Sequence, residues 1–189
     1  MDEPSQTEPR AAHWPSLRLL ILYPLVAIAA YFFAIEMFRG PEGPPTAGLR
    51  PGETAPPIAA EGWLNGEAPR PEDLAGRVIV LDAWFAACPH CPEEAPELIA
   101  AYDRFHDKGV VFLGLTPDEA FQLADCRRFL KKTGIPWPNG YGAGDALEKF
   151  LTDGPYFPAV WVIGTDGKIA WNRDSPEKLD SAIEEALKK

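Results

Sequence analysis

Cysteine and histidine are scarce in this chain, with three of each in 189 residues. No second Cys/His cluster stands at metal-ligand spacing, so a zinc site with four protein ligands is not expected. Basic residues are outnumbered, 18 against 28 acidic ones, for a net charge of −10. That balance argues against nucleic acid or an anionic membrane surface as partner; a charge that serves only solubility is the plainer reading. No internal repeat is visible. What the chain does have is a pair of thiols three residues apart, Cys88-Pro89-His90-Cys91, directly after the apolar run from Val78 to Ala87.

That placement reads as a redox dithiol at a strand-to-helix junction. At a helix N-terminus the first cysteine faces free backbone N–H groups and the positive end of the helix dipole, both of which favour thiolate. Pro89 suits a first helical turn, where its missing N–H costs nothing. The second thiol, one turn on, can close a disulfide with the first and make a reversible two-electron couple. A structural disulfide is the competing reading, but a bridge over so short a loop constrains little of the unfolded chain.

The N-terminal part departs from a globular pattern. Leu19 to Ile35 is apolar and free of charge. At about 1.5 Å per helical residue it covers roughly 26 Å, and its flanks extend it toward a membrane span. The chain is therefore read as a tail (1–16), a transmembrane anchor (17–38), a Pro/Gly-rich linker (39–57) and a folded domain (58–189). A cleaved signal peptide competes with the anchor; against it stand a long, partly acidic leader and no clean small-x-small site. Basic residues flank the run almost evenly, so charge does not orient it. The dithiol does: the N-terminus is expected in the cytoplasm and the domain outside it, in the periplasm.

Within the domain, Arg77 to Phe85 is a continuous apolar run, expected as a central strand buried on both faces. A helix is expected over Pro92–His106, with Ala95, Leu98, Ile99, Tyr102 and Phe105 as its apolar stripe and Pro96 bending it. A strand over Val110–Leu115, a helix over Phe121–Thr133 and a short helix over Asp145–Leu151 follow. Ala159–Gly164 and Ile169–Asn172 form a hairpin around Thr165-Asp-Gly-Lys168. Ser175-Pro176-Glu177 is expected to cap the last helix. This order predicts an α/β fold, a mixed sheet with helices on both faces.

The combination Asp82-x-Trp84-x-x-x-Cys88-x-x-Cys91, with Pro96 eight residues after the first cysteine and Pro158 before a late strand, resembles thioredoxin-fold proteins. The stretches CPHCPEEAPEL, GETAPP and TDGKI are most similar to the membrane-anchored TlpA/ResA group of thiol–disulfide oxidoreductases. The resemblance implies a thioredoxin-like fold over Pro51–Lys189, no cofactor, protein thiols and disulfides as substrates, and a membrane electron donor. It implies Cys88 as nucleophile, the more exposed of the two, and Cys91 as resolving thiol. Asp82 falls at a buried aspartate that exchanges the Cys91 proton; a strand end facing solvent is the alternative. Pro158 is implied to follow a cis peptide bond, with Phe157 and Trp84 in the substrate groove; a trans proline opening the strand is the alternative.

Two residues pull in opposite directions. A His90 ring near Cys88 would stabilise thiolate and make the couple oxidising, and Pro89-His90 resembles the oxidising DsbA proteins. Glu94, matching a glutamate common in TlpA-like proteins, would disfavour thiolate; a solvated helix-start charge is its plain alternative. Cys126 is expected as a buried structural thiol, and Trp137 as a packed loop residue. The expected activity is reduction of partner cysteines, of the cytochrome c maturation or oxidase copper-site assembly type. A DsbA-like oxidase is the first alternative. A copper-binding assembly factor is the second, although the usual wider cysteine spacing and remote histidine are missing. A peroxidase of the same broad fold is disfavoured, because Phe85 stands where threonine would precede the reactive cysteine.

Overall fold

The expected central strand is buried along its whole length, from Ile79 to Ala83, with apolar side chains on both faces. In this computed structural model, residues 48–189 are described, together with Ile28, Ala30 and Tyr31. Apart from those three helical residues, the tail and anchor lie outside the described residues, as does the linker before Gly48. Among the described residues, no helix is long and apolar enough to cross a membrane.

The strands are β1 (Gly62–Leu64), β2 (Ile79–Ala83), β3 (Val111–Leu115), β4 (Asn139–Tyr141), β5 (Ala159–Ile163) and β6 (Ile169–Asn172). The helices are α1 (Pro71–Leu74), α2 (Cys91–Phe105), α3 (Leu123–Thr133), α4 (Gly144–Phe150) and α5 (Leu179–Ala186). One sheet runs in the order β1-β4-β3-β2-β5-β6. Its centre is parallel, with Asp82 opposite Gly114. Beyond it β5 and β6 run antiparallel, with Asp82 opposite Val160 and Trp161 opposite Asn172. The mixed sheet matches the expectation.

Because side chains alternate along a strand, each strand feeds two cores. Val80, Trp84, Phe112, Val160, Val162 and Trp171 pack on one face, under α2, α3 and α5. Leu81, Leu113, Leu115, Trp161 and Ile163 pack on the other, against α4 and Leu49. Each fully buried Leu, Ile or Val contributes about 1.5–3 kcal/mol. Leu49 is tied in by its backbone as well: its N–H donates to Phe150 O, and its carbonyl accepts from Trp161 Nε1 and Asn172 Nδ2. The compact unit therefore includes residues within the stretch read as linker.

One expectation needs correction. The last helix opens at Leu179, after Lys178, rather than at Ser175. Ser175 is taken up in a turn instead: its N–H donates to Asn172 O, and its hydroxyl to Asn172 Oδ1. Three short elements, β1, α1 and β4, had no counterpart in the pattern; at three or four residues they carry no readable period. Helix α2 runs through Pro96, which withholds the N–H that Pro92 O would accept. Cys126 and Trp137 are buried, at 0% and 2% exposure.

Candidate active site

Helix α2 begins where its sequence favours a start. Pro92 stands in the first turn, Glu93 and Glu94 follow, and the N-cap is His90. Ala95, Leu98, Ala101 and Phe105 then bury the apolar side, with Cys91 at its head. This delivers both cysteines to the C-terminal end of the central strand. Cys88 and Cys91 are joined, with S–S 2.04 Å and Cα–Cα 5.5 Å. The Cys91 N–H donates to Cys88 Sγ at 3.0 Å. The first free N–H of the helix is thus aimed at the first sulfur, where a thiolate would be stabilised.

Cys88 was expected as the more exposed thiol of the pair, but both are nearly closed off, Cys88 at 5% accessibility and Cys91 at 4%. The short turn closed by the Cys88 N–H to Phe85 O folds the disulfide into the protein. Its approach is a groove of about 380 Å³, lined by Ala86, Ala87, Cys88 and Pro92 on one side and by Gln122, Arg128 and Phe129 on the other. The small Ala87 leaves this side open.

The loop carrying Cys88 is held by a residue the sequence reading missed. Asp118, 6% exposed, accepts from the Ala86 N–H at 2.7 Å, the Thr116 hydroxyl at 2.7 Å and Gln122 Nε2 at 3.0 Å. The Cys126 thiol also points to it, at 3.7 Å. Burial, with the Asp118 carboxylate, pushes that thiol up to about 12. The position of Asp118, three residues beyond a strand end in Thr116-Pro117-Asp118, was the available signal.

Asp82 lies behind the pair, 4% exposed, on the same face as Val80 and Trp84. The solvent-facing alternative is excluded. Burial pushes its carboxyl up to about 7, against the opposing pull of Arg173. Arg173, directly after β6, had no place in the sequence reading. It forms ion pairs with Glu94 and, at 3.1 Å, with Glu97. Strand alternation from Trp171 was the signal that would have placed it on this face.

Other sequence-derived residues fall differently. The His90 ring is turned to Glu93, with Nδ1 3.4 Å from Oε2, and its side chain is 71% exposed. Glu94 is withdrawn into the pair with Arg173 rather than solvated. Trp84 is a core residue, not a groove wall. It is fully buried, stacked on Phe129 at 4.3 Å, and its Nε1 donates to Asn139 Oδ1. Phe157 does stand beside the loop, edge-on to Phe85 at 5.3 Å, and the Phe157–Pro158 bond is cis.

Fold and site together define a protein of the thioredoxin-like class, with a dithiol at a helix N-terminus. The chain belongs to the AhpC/TSA family, which it matches over residues 51–172. Among curated proteins it is similar to ResA of Bacillus anthracis, a thiol–disulfide oxidoreductase by name, at 28% identity over 126 residues. That match covers 67% of this chain and 70% of ResA. It is 28% identical over 127 residues to protein DipZ of Mycobacterium tuberculosis (strain CDC 1551 / Oshkosh), covering 61% of this chain but only 18% of DipZ. Among solved structures, the thioredoxin domain of a thiol–disulfide oxidoreductase from Bacteroides vulgatus superposes with a TM-score of 0.62 at 25% identity. It covers 74% of this chain and 99% of its own.

Proposed function

We propose that this protein is a thiol–disulfide oxidoreductase that reduces cysteines of partner proteins. It works from an N-terminal membrane anchor with its domain outside the cytoplasm. The observation that carries the chemistry is Cys88 Sγ, receiving the Cys91 N–H at 3.0 Å at the head of α2. The ResA relative supports the reaction class, and the apolar run supports the anchor.

In the reduced protein the Cys88 thiolate attacks a substrate disulfide. One substrate sulfur leaves as thiolate and the other stays bound to Cys88. Cys91 then loses its proton to Asp82 and attacks Cys88 Sγ. This closes the Cys88–Cys91 disulfide and releases the second substrate thiolate. The two electrons reside in the sulfurs, so no cofactor is required. A membrane-bound dithiol donor would restore the reduced pair. Phe157 and the cis Pro158 would receive the substrate backbone beside the dithiol. The DsbA-like alternative rests on Pro89-His90, and the exposed His90 ring, turned to Glu93, lends it no geometric support.

Equilibration with glutathione tests the direction. A potential well below about −200 mV is expected, and one near about −120 mV would make the protein an oxidase. Cys91→Ser should accumulate a mixed disulfide with substrate, and Cys88→Ser should form none. A C-terminal reporter active only in the cytoplasm should stay silent; activity would overturn the orientation.

A further inference from the structure

Arg173 is a guanidinium held against helix α2 by two carboxylates, within the field of a third. From α2 come Glu94 and Glu97, one turn and two turns below Cys91. From the sheet comes Asp82, whose field acts on Arg173 in return. The register explains the meeting. Asp82 is opposite Val160, and continuing the β5–β6 pairing one step past Trp161–Asn172 sets Arg173 opposite Val160. Asp82 and Arg173 therefore share a rung, two strands apart, on the face under α2. Trp171, also on that face, lies under the guanidinium, 5.9 Å from its ring centre. The Arg173 Nε is buried with no hydrogen-bond partner, so the cation is held by ion pairs and stacking rather than by solvent.

The remaining groups around Asp82 leave Arg173 as its nearby cation. On the flanking strands, Gly114 and Val160 are uncharged. Helix α2 offers Cys91, Glu94 and Glu97. From α5, Asp180 is paired with Arg104 of α2. From α3, the Cys126 thiol is turned to Asp118.

We infer that Arg173 is a positioning residue for thiol–disulfide exchange: shared between Asp82 and Glu94, it keeps Asp82 able to take the Cys91 proton near neutral pH. This rests on the proton-relay reading of Asp82 given above. Without the cation, desolvation alone would act on Asp82 and hold it protonated to higher pH. Less of Asp82 would then be ionised at pH 7 to take the Cys91 proton. Glu94 opposes the effect, since its negative charge partly cancels the Arg173 field at Asp82.

The test is the pH dependence of one step: release of substrate from a preformed Cys88 mixed disulfide by Cys91. In Arg173→Met the midpoint should move up by about one pH unit, lowering the rate at pH 7 roughly fivefold. Arg173→Lys should restore most of it, and Glu94→Gln should move the midpoint down. A folded Arg173→Met with an unmoved midpoint overturns the inference. Should that variant not fold, Glu94→Gln and Arg173→Lys decide: an unmoved midpoint in the first, or a Met-like upward shift in the second, overturns it equally. Asp82→Asn separates the two readings. If it leaves the profile unchanged, the relay role of Asp82 fails; if it abolishes the midpoint while Arg173→Met does nothing, only the Arg173 inference fails.

Discussion

Glu94 of α2 and Arg173 beyond β6 form an ion pair in which each side chain keeps only about a quarter of its exposure, 25% and 26%. It joins the dithiol helix to the end of the edge strand β6, 79 residues away in sequence. Removing one partner leaves the other charge withdrawn from water without compensation. Glu94→Ala should therefore cost about 2 kcal/mol in urea unfolding, less than for a fully buried pair. Glu97, 53% exposed on the same guanidinium, should cost under about 0.5 kcal/mol when replaced by alanine. Equal effects at the two positions would contradict the burial argument.

Asp82 should make stability fall as pH rises. Its folded-state affinity for the proton, near 7, exceeds the ordinary value of 3.8. Between those values the native state holds a proton that the unfolded chain has lost, so each step up in pH favours unfolding. Asp82→Asn removes this dependence. The stability gap between variant and parent should widen in the variant's favour by about 2–3 kcal/mol from pH 5 to pH 8. Denaturation midpoints of the oxidised proteins at the two pH values measure it, and parallel curves would deny the raised affinity.

Cys126 should be inert. Its thiol is 0% exposed and pushed up to about 12. The fully reduced native protein should react with a thiol reagent at pH 8 through Cys88 and Cys91, with Cys126 following only on unfolding. Cys126→Ser should leave the redox potential unchanged. Rapid labelling of Cys126 in the native state would refute its structural role.

Gly114 should tolerate no side chain. An added Cβ would lie 1.8 Å from Asn139 Oδ1 and 2.9 Å from Trp84 Nε1, the two atoms of a buried hydrogen bond. Gly114→Ala should cost roughly 3 kcal/mol, with loss of the near-ultraviolet signal of the packed Trp84. A silent substitution would mean that Asn139 can turn aside.

Much of the core was readable because it repeats locally. The apolar run into β2, the stripe on α2 and the Thr165–Lys168 turn each span fewer than about twenty residues and carry their own period. The short β1 and β4 lie outside that logic: β4 is a strand because it pairs with β3, and β1 because it pairs with β4. Ser175-Pro176-Glu177 reads locally as a helix start. It lost to a turn with Asn172, whose side chain is committed to Leu49, 123 residues away. Trp84, counted with the substrate groove from the sequence, is turned into the core by alternation along the strand.

The sequence by itself determined the dithiol, its place at a strand-to-helix junction, and an acid inside an apolar strand. These follow from nearest neighbours and short-range geometry. Tertiary structure alone decided what surrounds them: Arg173 beside Asp82 and Glu94, Asp118 beneath the Cys88 loop, and the His90 ring turned away to Glu93. The reason is register. Which residues share a rung or meet across the helix–sheet interface depends on pairings between segments far apart in the chain, and no local pattern encodes them.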